Sequence, residues 1–195
     1  RIEDLHMAYE HALVTAIKTE LADRWGMEII AYPGEGRVFK SALFDFDGTL
    51  SLIREGWQDI MTPYFTELLT DTPKGKKEDP KELGRIAREL IDRLTGKQTI
   101  FQCIEIGKEV EKRGGKAEDP MVYKTEYLRR LMEKIHDKRE GLANGTIKPK
   151  ELLVRGSIEL LRALKNAGIQ IYLASGTDEP QVKEEAALLG VDEFF

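Results

Sequence analysis

Asp45 and Asp47 stand two residues apart in the run Leu43-Phe44-Asp45-Phe46-Asp47-Gly48-Thr49-Leu50. Side chains of an extended chain alternate between faces, so the two carboxylates point one way while Phe44 and Phe46 point the other. Like charges crowded into one small space are costly unless a cation or a proton relieves them. That suits a hard divalent ion such as Mg²⁺ bound through oxygen. Gly48 allows a sharp turn directly after the pair, and the Thr49 hydroxyl can tie that turn down. The competing reading of the same residues is a solvated acidic turn without a function.

Aiming such a pair requires a strand that ends at it. Two short apolar stretches, residues 27–31 and 38–46, flank the turn Tyr32-Pro33-Gly34-Glu35-Gly36 and predict strands. Ahead of them Leu5, Tyr9, Leu13, Ile17, Leu21 and Trp25 recur every fourth position, predicting a helix over residues 1–25 that Gly26 stops. Residues 51–150 have helical periodicity throughout. One helix carries Ile60, Met61, Tyr64, Phe65, Leu68 and Leu69, and a second carries Leu83, Ile86, Ala87, Leu90, Ile91 and Leu94. A third spans residues 98–112, and a fourth, with Tyr123, Tyr127, Leu128, Leu131 and Ile135, is expected to close near Gly141. An α/β alternation then resumes: a helix over 157–166, Gly168 just beyond it, and a strand over 169–174. After Ser175-Gly176-Thr177, Asp178 is placed to cap a helix with Pro180 in its first turn, and Phe194-Phe195 reads as the start of another strand.

The segment Asp45-Phe46-Asp47-Gly48-Thr49 at a strand end resembles the first motif of the haloacid dehalogenase (HAD) superfamily. Ser175, after Ile171-Tyr172-Leu173-Ala174, matches that superfamily's second motif, a Ser or Thr ending the next core strand. As a lone residue Ser175 reads equally as a turn or cap. The two motifs lie 175 − 45 = 130 residues apart, and the excess is the helical block, placed where the superfamily inserts a type C1 cap. The resemblance, over roughly residues 38–195, implies an α/β fold: a Rossmann-like parallel-sheet core from residues 27–50 and 151–195, incomplete at its C-terminal side, with an all-helical cap over 51–150. Residues 1–26 lie outside that pattern, and their helix suggests packing or a homodimer contact.

For chemistry, the resemblance implies a phosphoric monoester hydrolase. Asp45 would attack phosphorus to give an aspartyl phosphate, and Asp47 would be the general acid and base. The Mg²⁺ would take a carboxylate oxygen of Asp45 and the backbone carbonyl of Asp47. Ser175 and Gly176, near a helix start that favours anions, would hold the phosphate. Lys97 and Gln98, by analogy with type C1 caps, are candidates for reading the substrate, with ordinary capping and solvation as their alternative. The expected substrate is a small phosphorylated metabolite, a sugar phosphate or one like phosphoglycolate. A phosphomutase and a non-catalytic HAD-like scaffold are the other readings. The superfamily also uses a Lys or Arg and a further acidic motif, normally beyond the second motif. The 20 residues after Ser175 supply neither, since Lys183 reads as a surface lysine. A chain cut short there, with weak metal binding and weak catalysis by these 195 residues alone, is the expectation.

Composition agrees with an ordinary folded domain. Apolar residues are 41% and charged residues 33% of the 195, and 30 basic against 35 acidic side chains leave a net charge of −5. That is no electrostatic footprint for nucleic acid, and no apolar run is long enough for a membrane span. The single cysteine, Cys103, sits between apolar neighbours and suggests a buried thiol in a reducing, cytoplasmic setting. His6 and His11 are five residues apart and His136 is isolated, so no metal role is expected of them. Lys74-Gly75-Lys76-Lys77 beside Glu78 and Asp79 reads as a solvated linker.

Overall fold

The structure is a computed structural model that describes residues 39–195. The helix expected over residues 1–25, the strand over 27–31 and both His6 and His11 lie outside the described residues. Residues 40–195 form one unit.

Strand β1, Ser41–Phe44, pairs in parallel with β2, Gln170–Leu173, with Ser41 opposite Gln170 and Phe44 opposite Leu173. Backbone pairing runs one step past both ends: the Gln170 N–H donates to the Lys40 carbonyl at 2.9 Å, and the Ala174 N–H to the Phe44 carbonyl at 2.8 Å. The regular strand is thus shorter than the apolar run, because the chain bends at Asp45. The two strand tips lie side by side and point the same way, so the residues following each, Asp45 and Ser175, emerge at one edge of the sheet. A parallel pair needs a long crossover, and here it holds most of the protein.

The first four helices of that crossover are α1 (Gln58–Thr70), α2 (Pro80–Arg93), α3 (Thr99–Lys112) and α4 (Pro120–Asn144). The starts of α2 and α4 share one device. Asp79 accepts the Lys81 N–H at 3.0 Å and Asp119 accepts the Met121 N–H at 2.7 Å, each followed by a proline at the first helical position, where its missing N–H costs nothing. Helix α1 packs against α2, α3 and α4. Their shared core is made by Met61, Phe65 and Leu69 of α1, Leu83 and Ile91 of α2, Ile106 of α3 and Ile135 of α4. Each such buried side chain contributes on the order of 1.5–3 kcal/mol.

Helix α4 runs past the expected stop at Gly141 and ends at Asn144, capped by Gly145 in the left-handed region (φ 77°). Gly141 serves packing instead: a Cβ there would stand 2.6 Å from Cδ1 of Ile147, which returns across the helix. At the base of the four helices the outgoing and returning chains bind each other. The Leu52 N–H donates to the Leu152 carbonyl at 2.8 Å, and the Val154 N–H to the Leu50 carbonyl at 2.9 Å. Lys138 of α4 adds its ammonium to the Leu52 and Ile53 carbonyls, at 2.9 and 3.2 Å.

The chain then forms α5 (Ser157–Asn166), β2 and α6 (Glu179–Leu188). The strand expected at Phe194-Phe195 is absent: Asp192–Phe194 is a single turn of 3₁₀ helix. Its apolar character has another cause, since Phe194 is buried and the Lys165 ammonium lies 5.1 Å from its ring centroid. Asp178 precedes α6 in a capping conformation, but its side chain makes no cap bond; Oδ1 accepts Lys124 of α4 at 2.7 Å. Among the described residues no helix is long and apolar enough to cross a membrane.

Cys103 on α3 is 0% exposed, and burial pushes its thiol up to about 12. The thiolate is the reactive form, so the folded protein at neutral pH should resist alkylation by iodoacetamide, and the unfolded protein should react fully. Equal labelling rates with and without denaturant would contradict this placement.

Candidate active site

The bend after β1 is drawn tight by one carbonyl. Phe46, itself fully buried, accepts the N–H groups of Thr49, Leu50 and Ser51 at 3.3, 2.9 and 2.9 Å, while the Gly48 N–H donates to the Ser51 carbonyl at 2.8 Å. Gly48 has φ 80°, a conformation that strains any residue with a Cβ. Burial of Phe46 beneath this loop turns its two neighbours, Asp45 and Asp47, to the same side, and both line one cavity of about 150 Å³.

The two carboxylates have unlike surroundings. Asp45 is exposed, and its one bond among the described residues is a long one, accepted at Oδ2 from the Thr49 hydroxyl at 3.3 Å. Asp47 is held. Its Oδ2 accepts the Thr177 hydroxyl at 2.8 Å and the Ser175 hydroxyl at 3.3 Å, and Ser175 Oγ in turn accepts the Thr177 N–H at 3.0 Å. The turn after β2 therefore fixes a side chain from the turn after β1. Asp47 Oδ1 is buried with no hydrogen-bond partner among the described residues, and Nε of Arg54 stands 3.9 Å from it.

Arg54 is the wall of the cavity next to Asp47. Its Nε donates to both carboxylate oxygens of Glu185 on α6, at 3.2 and 3.0 Å, and its Nη2 donates to Glu185 at 2.8 Å and to Gln181 at 3.3 Å. The two side chains are 5% and 0% exposed. Burial disfavours the charged guanidinium, but the Glu185 contacts outweigh it and hold Arg54 above its ordinary value. Nothing in the local sequence marks this pair, whose members are 131 residues apart.

Of the residues singled out from sequence, Asp45, Asp47, Lys97 and Gly176 line the cavity together. Ser175 reaches it through its bond to Asp47, and Thr177, which sequence reasoning passed over, both lines it and holds Asp47. Gly176 lies so close to the 95–98 loop that a Cβ would stand 2.9 Å from the Lys97 carbonyl. Gln98 points to a different place. It lines a separate groove of about 840 Å³ along β2 and α6 that contains neither aspartate. Lys183 is exposed and paired with Glu179, as a surface lysine would be. His136 pairs with Glu140 at the surface. Trp57, Gln102 and Tyr127, none of which a motif pointed to, also line the aspartate cavity.

A family model described as haloacid dehalogenase-like hydrolase matches residues 39–195. The chain belongs to this family. The match covers everything from the start of β1 to the last residue and supports a hydrolase with the superfamily's α/β core, of which the described residues show one parallel strand pair. No curated protein matches the chain. Members of the superfamily commonly use Mg²⁺, so the donor set bears on the question of a cation. No three His, Cys, Asp or Glu side chains converge among the described residues. Magnesium does not need such a cage: it keeps several waters and is bound through one or two carboxylates plus phosphate oxygens. Two hard carboxylates at one cavity, one with a buried oxygen lacking a partner, fit that pattern.

Proposed function

We propose that the protein is a Mg²⁺-dependent phosphatase that hydrolyses a small phosphomonoester through an aspartyl phosphate on Asp45. The observation that carries this reading is the unlike treatment of two adjacent carboxylates: Asp45 is left exposed at the cavity, whereas Asp47 is fixed by two hydroxyls from the other strand tip. A nucleophile needs a free lone pair and an approach path. A proton-transfer group needs a fixed position relative to the leaving oxygen.

In the first half-reaction an Asp45 oxygen bonds to phosphorus as the ester P–O bond breaks, and Asp47 passes a proton to the departing alkoxide. In the second, Asp47 takes a proton from water as that water attacks phosphorus, and the Asp45–phosphorus bond breaks to release inorganic phosphate. Thr49 steadies Asp45 Oδ2 and leaves Oδ1 for the attack. Mg²⁺ held by the Asp45 carboxylate and Asp47 would supply the positive charge that offsets repulsion between the carboxylate and the phosphate dianion. Arg54 adds fixed positive charge beside Asp47, and Trp57, Gln102 and Tyr127 line the cavity that the two carboxylates share.

On this reading α1–α4 form a lid, the cap over residues 51–150, on a core from 27–50 and 151–195. Two ion pairs support it, Lys124 with Asp178 and Arg139 with Glu184, which join α4 to the start and the body of α6. The test is a panel of phosphomonoesters offered to the full-length protein with and without Mg²⁺. Phosphate release that needs the metal is expected; no release from any ester under either condition would overturn the reading.

A further inference from the structure

The two oxygens of Asp47 are treated differently. Oδ2 accepts the Thr177 and Ser175 hydroxyls, at 2.8 and 3.3 Å. Oδ1 is buried, has no hydrogen-bond partner among the described residues, and stands 3.9 Å from Nε of Arg54. With Oδ2 engaged by two donors, Oδ1 is the oxygen left to carry a proton to the departing alkoxide. An oxygen with that task must be free to turn toward the ester, and a direct ion pair with a guanidinium would hold it back. Arg54 stands beside this oxygen without bonding it.

Glu185 on α6 accounts for that separation. Arg54 Nε donates to both Glu185 oxygens, at 3.2 and 3.0 Å, and Nη2 donates to Glu185 at 2.8 Å. Two carboxylates compete for one guanidinium, and burial decides between them. The Glu185 side chain is 0% exposed and that of Asp47 is 19% exposed. A carboxylate sealed from water depends on a paired cation, whereas Asp47 has its hydroxyl donors and some solvent. The fork of two nitrogens onto Glu185 also fixes the guanidinium plane, which a single contact would leave free to swing. Gln181, one helical turn before Glu185 on α6, accepts Nη2 at 3.3 Å and steadies the same group. Among the described residues Asp47 is the other carboxylate within 4 Å of Arg54, so a guanidinium released by Glu185 has Asp47 Oδ1 as its next partner.

Resting on the phosphatase reading, we propose that Glu185 is a positioning residue: it holds Arg54 off Asp47 and so keeps Asp47 Oδ1 free to pass its proton to the leaving group. Removing its charge by Glu185→Gln should send Arg54 onto Oδ1. The test measures release of alcohol in the first turnover by the full-length protein from two esters: glycerol phosphate, whose alkoxide needs a proton, and 4-nitrophenyl phosphate, whose leaving group does not. Glu185→Gln should slow this step about tenfold to a hundredfold on glycerol phosphate and less than about threefold on 4-nitrophenyl phosphate. Exchanging the two groups, Gln181→Glu with Glu185→Gln, returns a carboxylate to Arg54 from the neighbouring turn and should bring glycerol phosphate back to within about threefold of the parent. Gln181→Leu loosens Arg54 without removing its counter-charge; it should show the same selectivity at about fivefold, and it carries the test if Glu185→Gln does not fold. Equal losses on the two esters in the folded variants, no loss on glycerol phosphate, or an exchange variant no better than Glu185→Gln would overturn the positioning role while leaving the phosphatase standing. A parent protein that releases nothing from either ester would instead remove the phosphatase reading beneath it.

Discussion

An Asp45→Asn variant is expected to fold like the parent and to lose at least about a thousandfold in phosphomonoester turnover, the scale on which removing an attacking group acts. The fold should survive because Asp45 is exposed and its hydrogen bond from Thr49 is a long 3.3 Å. Turnover should not, because a neutral amide oxygen is a poor nucleophile toward a phosphate dianion. Asp47→Asn should also be slow, by about a hundred- to ten-thousandfold, the range of general acid–base contributions. The two variants differ in a way that assigns the roles. With an ester whose leaving group needs no proton, such as a nitrophenyl phosphate, the first half-reaction of Asp47→Asn should recover, and a burst of alcohol should precede slow steady turnover. Asp45→Asn should show no burst with any ester. Matching burst kinetics in both variants would mean that the roles are wrongly divided.

Glu185→Ala should be the most destabilising single change near the site. It leaves the Arg54 guanidinium buried with its main partner removed, a situation that costs about 3–5 kcal/mol. For a domain of this size each kcal/mol corresponds to roughly 2–4 °C in melting temperature, so a fall on the order of 10 °C is expected. The loss should lie in the stranded charge rather than in the missing attraction. Replacing both partners by apolar residues of similar volume, Arg54→Met with Glu185→Leu, should therefore recover most of the stability. It should not recover activity, because Arg54 also places positive charge beside Asp47. Urea denaturation of the parent and the two variants measures this directly, and a loss below about 1 kcal/mol for Glu185→Ala would show that water reaches the pair.

The part of the site legible in the sequence is the part made by local chain geometry. Asp45 and Asp47 share a side because Phe46 between them is driven inward, and alternation of this kind is written in consecutive residues. Ser175 was legible for the same reason, following a short apolar strand. Arg54 was not, since its meaning depends on Glu185, which only the fold brings near. Tyr127 was hidden differently: it falls on the apolar stripe of α4 and is indeed buried, yet it also lines the cavity. Gln102 sits among the polar residues at the start of α3, where capping and solvation are the ordinary explanation. The end of α4 lies beyond Gly141 because that glycine serves close packing, and in sequence it looks like one that stops a helix. Phe194-Phe195 is a similar case, since a buried aromatic that anchors a single turn, as Phe194 does, cannot be told in sequence from the start of a strand.

The role of Asp45 is tested most directly by quenching the full-length protein during turnover, reducing any acyl phosphate with borohydride and locating the modified residue by mass spectrometry. The phosphoryl group is expected on Asp45, converting that residue to homoserine in the parent protein and leaving the Asp45→Asn variant unmodified. Modification at Asp47 or at any other carboxylate, or undiminished turnover by Asp45→Asn, would contradict it.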